Sequence, residues 1–165
     1  MATEIFLNID DKAIAGESIR SGHEGEIDIL SFKFAVHHEG QKEQTGGKVT
    51  QGRAEFSDVV ITKHVDKSSP KLMQACASGQ HFTKAVITMR STASDGDKVD
   101  FYIVTFNDLI ISSFDNTGQS DGDALSEEIM VSYSKVGFKY TVQGKDGNNA
   151  GEVTGSWNVK TNAKD

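Results

Sequence analysis

Leu125-Ser126-Glu127-Glu128-Ile129-Met130-Val131-Ser132-Tyr133-Ser134 places Leu125, Glu127, Ile129, Val131 and Tyr133 on one face of an extended chain and the intervening residues on the other. After Lys135 the alternation resumes with Val136-Gly137-Phe138-Lys139-Tyr140-Thr141-Val142, where Val136, Phe138, Tyr140 and Val142 share a side. A helix would scatter both sets around its axis. The stretch therefore reads as two β-strands.

Working outward, the same period recurs at 4–9, 26–36, 54–63, 84–90, 99–106 and 109–113, and more weakly at 152–159. In 26–36, Leu30, Phe32, Phe34 and Val36 form one side, of which Leu30, Phe32 and Phe34 are expected to fill the core. Ile27, Ile29, Ser31, Lys33 and Ala35 form the other. In 99–106 both sides are apolar, which predicts a cover on each face. Asp95-Gly96-Asp97 is a hairpin turn signal between two runs. One segment breaks the pattern. Ser69-Pro70-Lys71-Leu72-Met73-Gln74-Ala75-Cys76-Ala77-Ser78-Gly79 predicts a short α-helix at about 70–78, with Ser69 as cap, Pro70 in the first turn, Gly79 as the left-handed stop, and Leu72, Met73 and Cys76 on one side. Residues at about 37–53 hold four glycines and one large apolar residue, Val49, and predict a long extended loop. The expected fold is all-β: a small antiparallel barrel or sandwich of about eight or nine strands with one helix. The chain, 165 residues long, is expected to be a single domain, 1–165.

Composition excludes several classes. The net charge of −7 opposes a nucleic-acid backbone binder, which needs a basic face. One cysteine, Cys76, excludes an internal disulfide framework and is expected to serve packing. No apolar run approaches the roughly 18–20 residues of a membrane helix, and the N-terminal residues lack the pattern of a secretory leader, so neither membrane insertion nor a cleavable signal is expected. Catalytic and metal patterns fail one by one. Gly16-Glu17-Ser18-Ile19-Arg20 lacks the final glycine of a nucleophile elbow. Thr45-Gly46-Gly47-Lys48-Val49 lacks the first glycine and the magnesium-binding hydroxyl of a phosphate loop. With Gly122 at the turn position of a calcium loop, Thr117 and Gln119 stand where acidic ligands are needed. His37 and His38 are adjacent, and on an extended chain they point to opposite faces. The expectation is no catalytic residue, no metal and no cofactor, and a role in binding or assembly.

Several segments taken in order resemble the Hcp (haemolysin co-regulated protein) family of bacterial type VI secretion. They are the start 1–9, Gly16-Glu17-Ser18, His23, Glu26-Ile27-Asp28-Ile29-Leu30-Ser31-Phe32, Val60-Ile61-Thr62-Lys63 leading to Asp66-Lys67-Ser68-Ser69-Pro70-Lys71-Leu72, then Gly79, His81, the 127–133 strand and Trp157. The resemblance covers nearly the whole chain. It implies a tube protein similar to phage tail-tube proteins: six copies form a ring, rings stack, a contractile sheath ejects the tube, a spike protein sits at its tip, and the lumen carries effectors. It implies residence in the bacterial cytoplasm before firing and outside the cell afterwards.

Six copies of 17.9 kDa make 107.4 kDa, with a formal charge of six times −7, or −42. Within this reading Ser31 and Lys33 are expected to face the lumen and its cargo. Gln41, Lys42, Glu43 and Lys48 are expected to reach a neighbouring ring. The chain stops a few residues after the last strand, so an appended toxin domain is not expected. Two other readings fit the same strands: a monomeric β-barrel that binds a small ligand, and a phage-type tail-tube protein.

Overall fold

The computed structural model describes residues 3–38, 52–93, 96–122, 125–145 and 149–165. Among them, the elements run β1 (Thr3–Ile9), β2 (Ile27–Asp28), β3 (Ser31–Lys33), β4 (Val36–His38), β5 (Ala54–Phe56), β6 (Val59–His64), α1 (Ser69–Ser78), β7 (His81–Thr92), β8 (Lys98–Thr117), β9 (Ser126–Gln143), β10 (Asn149–Asn158) and β11 (Ala163–Lys164). One sheet has the order β11-β10-β9-β8-β7-β1-β2, and β9 also carries β6, which in turn carries β3. β4 and β5 form a separate two-stranded ribbon at the base of the long connection. The described ladders are all antiparallel. The all-β expectation holds, with one helix and eleven strands among the described residues where about eight or nine strands were expected.

The two strands expected in 125–142 are one, β9, and the runs 99–106 and 109–113 likewise merge into β8. The interruptions that suggested breaks are changes of face. In β8 the buried residues pass from Val104 and Phe106 to Leu109 and Ile111, and in β9 from Tyr133 to Val136. Both steps are three residues where a flat strand would give two. They lie at the same level of the ladder, where Asn107 pairs with Lys135 and Leu109 with Tyr133. Asp108 there adopts φ +51°, a left-handed backbone that turns the strand. Its carboxylate accepts hydrogen bonds from the Ser134 hydroxyl at 3.1 Å and from Lys160 Nζ at 2.7 Å, which hold that carboxyl below its usual range. The kink lets one half of the hairpin cover the core beside β6 and the other half continue along β10.

The 26–36 segment also changes face, and here the expectation needs correcting. Ile27 and Ile29 are buried, Phe32 and Phe34 pack against the same core, and Leu30 is 50% exposed. The cause is a change of partner. The Ile29 N–H donates to the Ile5 carbonyl of β1, and the next residue, Leu30, donates to Thr62 of β6. The segment thus hands over from one edge of the curled sheet to the other. Among the described residues no ladder joins β2 to β3, so the sheet is not a closed barrel.

α1 packs across β8 with Leu72 and Ala75 buried and Met73 exposed, so Met73 does not share the inner side expected of it. Pro70 stands in the first turn. Gly79 ends the helix at φ 63°, and its N–H reaches the carbonyls of Ala75 and Cys76, as a left-handed stop requires. Ser69 is not the cap. Ser68 holds that position, and the Ser69 hydroxyl points inward to Glu127.

Candidate assembly and lumen surfaces

β3 exposes Ser31 and Lys33 and turns Phe32 inward. Antiparallel partners share a face, so the ladder extends this surface. Ser31 stands opposite Thr62, which stands opposite Glu128, which stands opposite Asp115. Lys33 stands opposite Val60, then Met130, then Ser113. The result is a band across four strands with a cation at the β3 edge and two exposed carboxylates toward β8. The strand alternation at 59–64 and 126–131 could have shown Thr62, Glu128 and Met130 on this face. Their pairing with β3 could not be read, because it joins residues far apart in sequence.

A second surface lies at the far end of β8, β9 and β10. Tyr102 stands opposite Tyr140, and Tyr140 stands opposite Val153. The Tyr140 ring meets Phe101 edge-on at 6.5 Å between centroids. Tyr102 still touches the core, but Tyr140 is 46% and Val153 64% exposed. The apolar face that covers the core therefore continues past it as an apolar strip. The two-sided cover expected for 99–106 is incomplete, since Phe101 and Ile103 stay half-exposed. On the reverse side, Ile103, Thr105, Lys139 and Thr154 line a shallow dent next to Gly137 and Gly155.

Both surfaces rest on a stiff interior. Lys63 is wholly buried. Its Nζ lies 2.8 Å from Glu127 Oε1, 3.0 Å from Asp66 Oδ1 and 2.8 Å from the His64 carbonyl oxygen. The Ser69 hydroxyl also meets Glu127 Oε1, and the Ser68 hydroxyl meets Asp66. This ties β6, the turn into α1 and β9 together. Sequence reading missed the pair, although Lys63 is in phase with Val59 and Ile61, and Glu127 with Ile129 and Val131. Tyr133, whose hydroxyl donates to the Ser57 carbonyl at 3.0 Å, is pushed up to about 12 by burial, with Asp58 adding to it.

Of the expected loop residues, Gln41, Lys42, Glu43 and Lys48 lie outside the described residues. The loop's outgoing end is fixed by Arg53, which donates to the carbonyls of Val159 and Lys160 at 3.0 and 3.4 Å. His37 and His38 are exposed on β4. Ser18, in the rejected elbow, is buried, and its hydroxyl accepts the Arg20 N–H. Trp157 packs against the core at the end of β10. Among the described residues, no group of three or more His, Cys, Asp or Glu is placed to hold a metal ion, and no helix is long and apolar enough to cross a membrane.

Residues 6–140 match the profile of the family described as "Type VI secretion system effector, Hcp". The chain is 32% identical over 165 residues to Protein hcp1 of Pseudomonas aeruginosa, covering 99% of each. It is 29% identical over 138 residues to the Major exported protein of the same organism, covering 80% of this chain and 78% of that one. Its fold is similar to the crystal structure of Hcp1 from Salmonella typhimurium, with a TM-score of 0.80, 31% identity and 100% of both chains covered. It is similar also to the structure of a type six secretion system protein, with a TM-score of 0.88 and 28% identity over 99% of this chain and 100% of the other.

Proposed function

The chain belongs to the Hcp family of the type VI secretion system, and from that premise we propose that it is a tube subunit: six copies close a ring, rings stack, and the stack is expelled with effectors in its lumen. The observation that carries the ring is the strip that Tyr140 and Val153 continue beyond Tyr102, an apolar sheet face that the described residues leave exposed. A second copy laid on it would bury that surface, and a heterologous contact repeated around an axis closes a ring. In this reading the contractile sheath surrounds the tube and the spike protein caps it. The chain moves from bacterial cytoplasm to the exterior, as the name of the Major exported protein suggests for that relative. No step calls for an enzyme activity, cofactor or nucleic acid.

Native mass spectrometry at moderate salt tests the ring. The expected dominant species is 107.4 kDa, six times 17.9 kDa. A 17.9 kDa monomer at micromolar concentration would instead overturn the ring. We assign stacking to the loop bearing Gln41, Lys42, Glu43 and Lys48. Removing residues 41–47 should keep the 107.4 kDa ring and abolish its higher multiples. Loss of the ring itself would mean that the loop closes the hexamer.

The lumen is assigned to the Ser31–Lys33 band. A band with a cation at one edge and Glu128 and Asp115 at the other suits polar cargo better than an apolar peptide. Lys33→Glu should lower effector recovery in a pull-down several-fold without changing ring mass. Unchanged recovery would remove Lys33 from the cargo surface.

A further inference from the structure

The segment between β1 and β2 is tied to β1 by Arg20, to β7 by the Ser21 carbonyl and to β8 by one histidine. His23 is buried and lies flat on Phe6, with ring centroids 4.2 Å apart and planes 6° from parallel. Its Nδ1 is 2.7 Å from Glu26 Oε2, and its Nε2 is 3.1 Å from Asp100 Oδ2 on β8. Asp100 also receives Arg90 Nε at 2.8 Å, and Arg90 Nη1 donates to the Ser21 carbonyl at 2.7 Å. The Arg90 guanidinium sits 5.6 Å from the centre of the Phe6 ring.

A ring with a carboxylate oxygen at each nitrogen satisfies both only as the imidazolium, which donates twice. A neutral ring donates once and turns a lone pair toward the second carboxylate. We propose that His23 is a proton-dependent latch that fastens segment 16–25 to β8.

The groups around the latch set which contact opens. Imidazolium and guanidinium balance Glu26 and Asp100. From β1, the Asn8 side-chain amide donates to the other oxygen of Glu26 at 3.1 Å, and Glu4 pairs with Arg20 at 2.7 Å. Within the segment, hydrogen bonds from the backbone N–H groups of Glu24 and Gly22, helped by Lys12 and His23, hold the exposed Glu24 carboxyl below its usual range. Burial raises that of Asp28, against the Ser18 hydroxyl and Arg20. Glu26 is therefore bound on both oxygens, and its side chain is the more buried. Asp100 is the more exposed partner at the longer distance and keeps Arg90. When the proton leaves, the Asp100 contact opens and segment 16–25 loses its tie to β8. The sheet beneath it does not depend on that proton. What the latch positions is the segment's tip, where Ile19 is 87% exposed beside Arg20.

Hydrogen–deuterium exchange of the intact protein tests this between about pH 5.5 and about pH 8.5, a range that spans the ordinary histidine value. After correction for intrinsic exchange, peptides covering 16–25 should lose about tenfold in protection as pH rises, while those from β7 and β9 hold theirs. His23→Gln removes the titrating ring and should flatten the profile. Should that variant fail to fold, Asp100→Asn serves, because an amide can accept from or donate to Nε2 and needs no second proton. A flat wild-type profile, or a fall that persists in the folded variant, would overturn the latch.

Discussion

Lys63→Met should destabilise the fold by about 3–5 kcal/mol, the loss typical when one partner of a buried ion pair is removed. The substitution keeps the volume and takes away the charge. It leaves two carboxylates, Glu127 and Asp66, facing one apolar side chain. Glu127 is the costly one. Its Oε1 is already shared with the Ser69 hydroxyl, and its Oε2 is buried with no hydrogen-bond partner among the described residues. The converse change should be milder. In Glu127→Gln the lysine keeps Asp66 and the His64 carbonyl, and the glutamine oxygen can still accept, so a loss of about 1–2 kcal/mol is expected. Replacing both residues, with Met at 63 and Leu at 127, should recover much of what Lys63→Met alone loses, since a matched apolar pair carries no desolvation penalty. Urea denaturation at one fixed protein concentration reads all three, because assembly adds to apparent stability. Equal losses from the two single variants would show that water reaches the pair and that burial does not govern it.

Gly16→Ala should cost about 3 kcal/mol, near the upper end for overpacking. The obstruction is backbone, so no side-chain rotation relieves it. A methyl group at position 16 would stand 2.5 Å from the Ile27 Cα, and the Glu26 carbonyl is closer still. The approach is this tight because the two arms of the segment are laced together. The Gly16 N–H donates to the Gly25 carbonyl at 2.9 Å, the Ser18 N–H to Glu26 at 3.1 Å, and the Gly25 N–H to Ser18 at 2.8 Å. Forcing the arms apart pulls on Ile14 and Ile27, both part of the core. At roughly 2–4 °C per kcal/mol, the melting temperature should fall by roughly 6–12 °C. Gly155→Ala is the control: an added Cβ there meets nothing within 4 Å, and its melting temperature should stay put or rise slightly. A Gly16→Ala protein that melts with the wild type would mean that the two arms part readily.

β6 and the first half of β9 announced themselves because each buries one face, and a period of two is written directly in the side chains. Helix α1 was legible from Pro70 and Gly79 for the same local reason: both act through their own backbone angles. Family membership was legible too, since it rests on the order of segments along the chain. The misreadings of the strands share one origin. The breaks placed within β8 and β9, and the single face assigned to 26–36, all assumed that alternation stays in register. In the folded chain it shifts where Asp108 turns the strand and where the chain passes from Ile5 to Thr62.

Alternation by itself places Lys63 in phase with Val59 and Ile61, Glu127 in phase with Ile129 and Val131, and Ser31 and Lys33 on one face. Only the tertiary structure decided that Lys63 meets Glu127, that His23 reaches Asp100, and that the apolar face outruns the core at Tyr140 and Val153. The physical reason is range. Face and turn are properties of neighbouring residues, whereas these contacts join residues 64 and 77 positions apart and exist only once strand pairing has set the register.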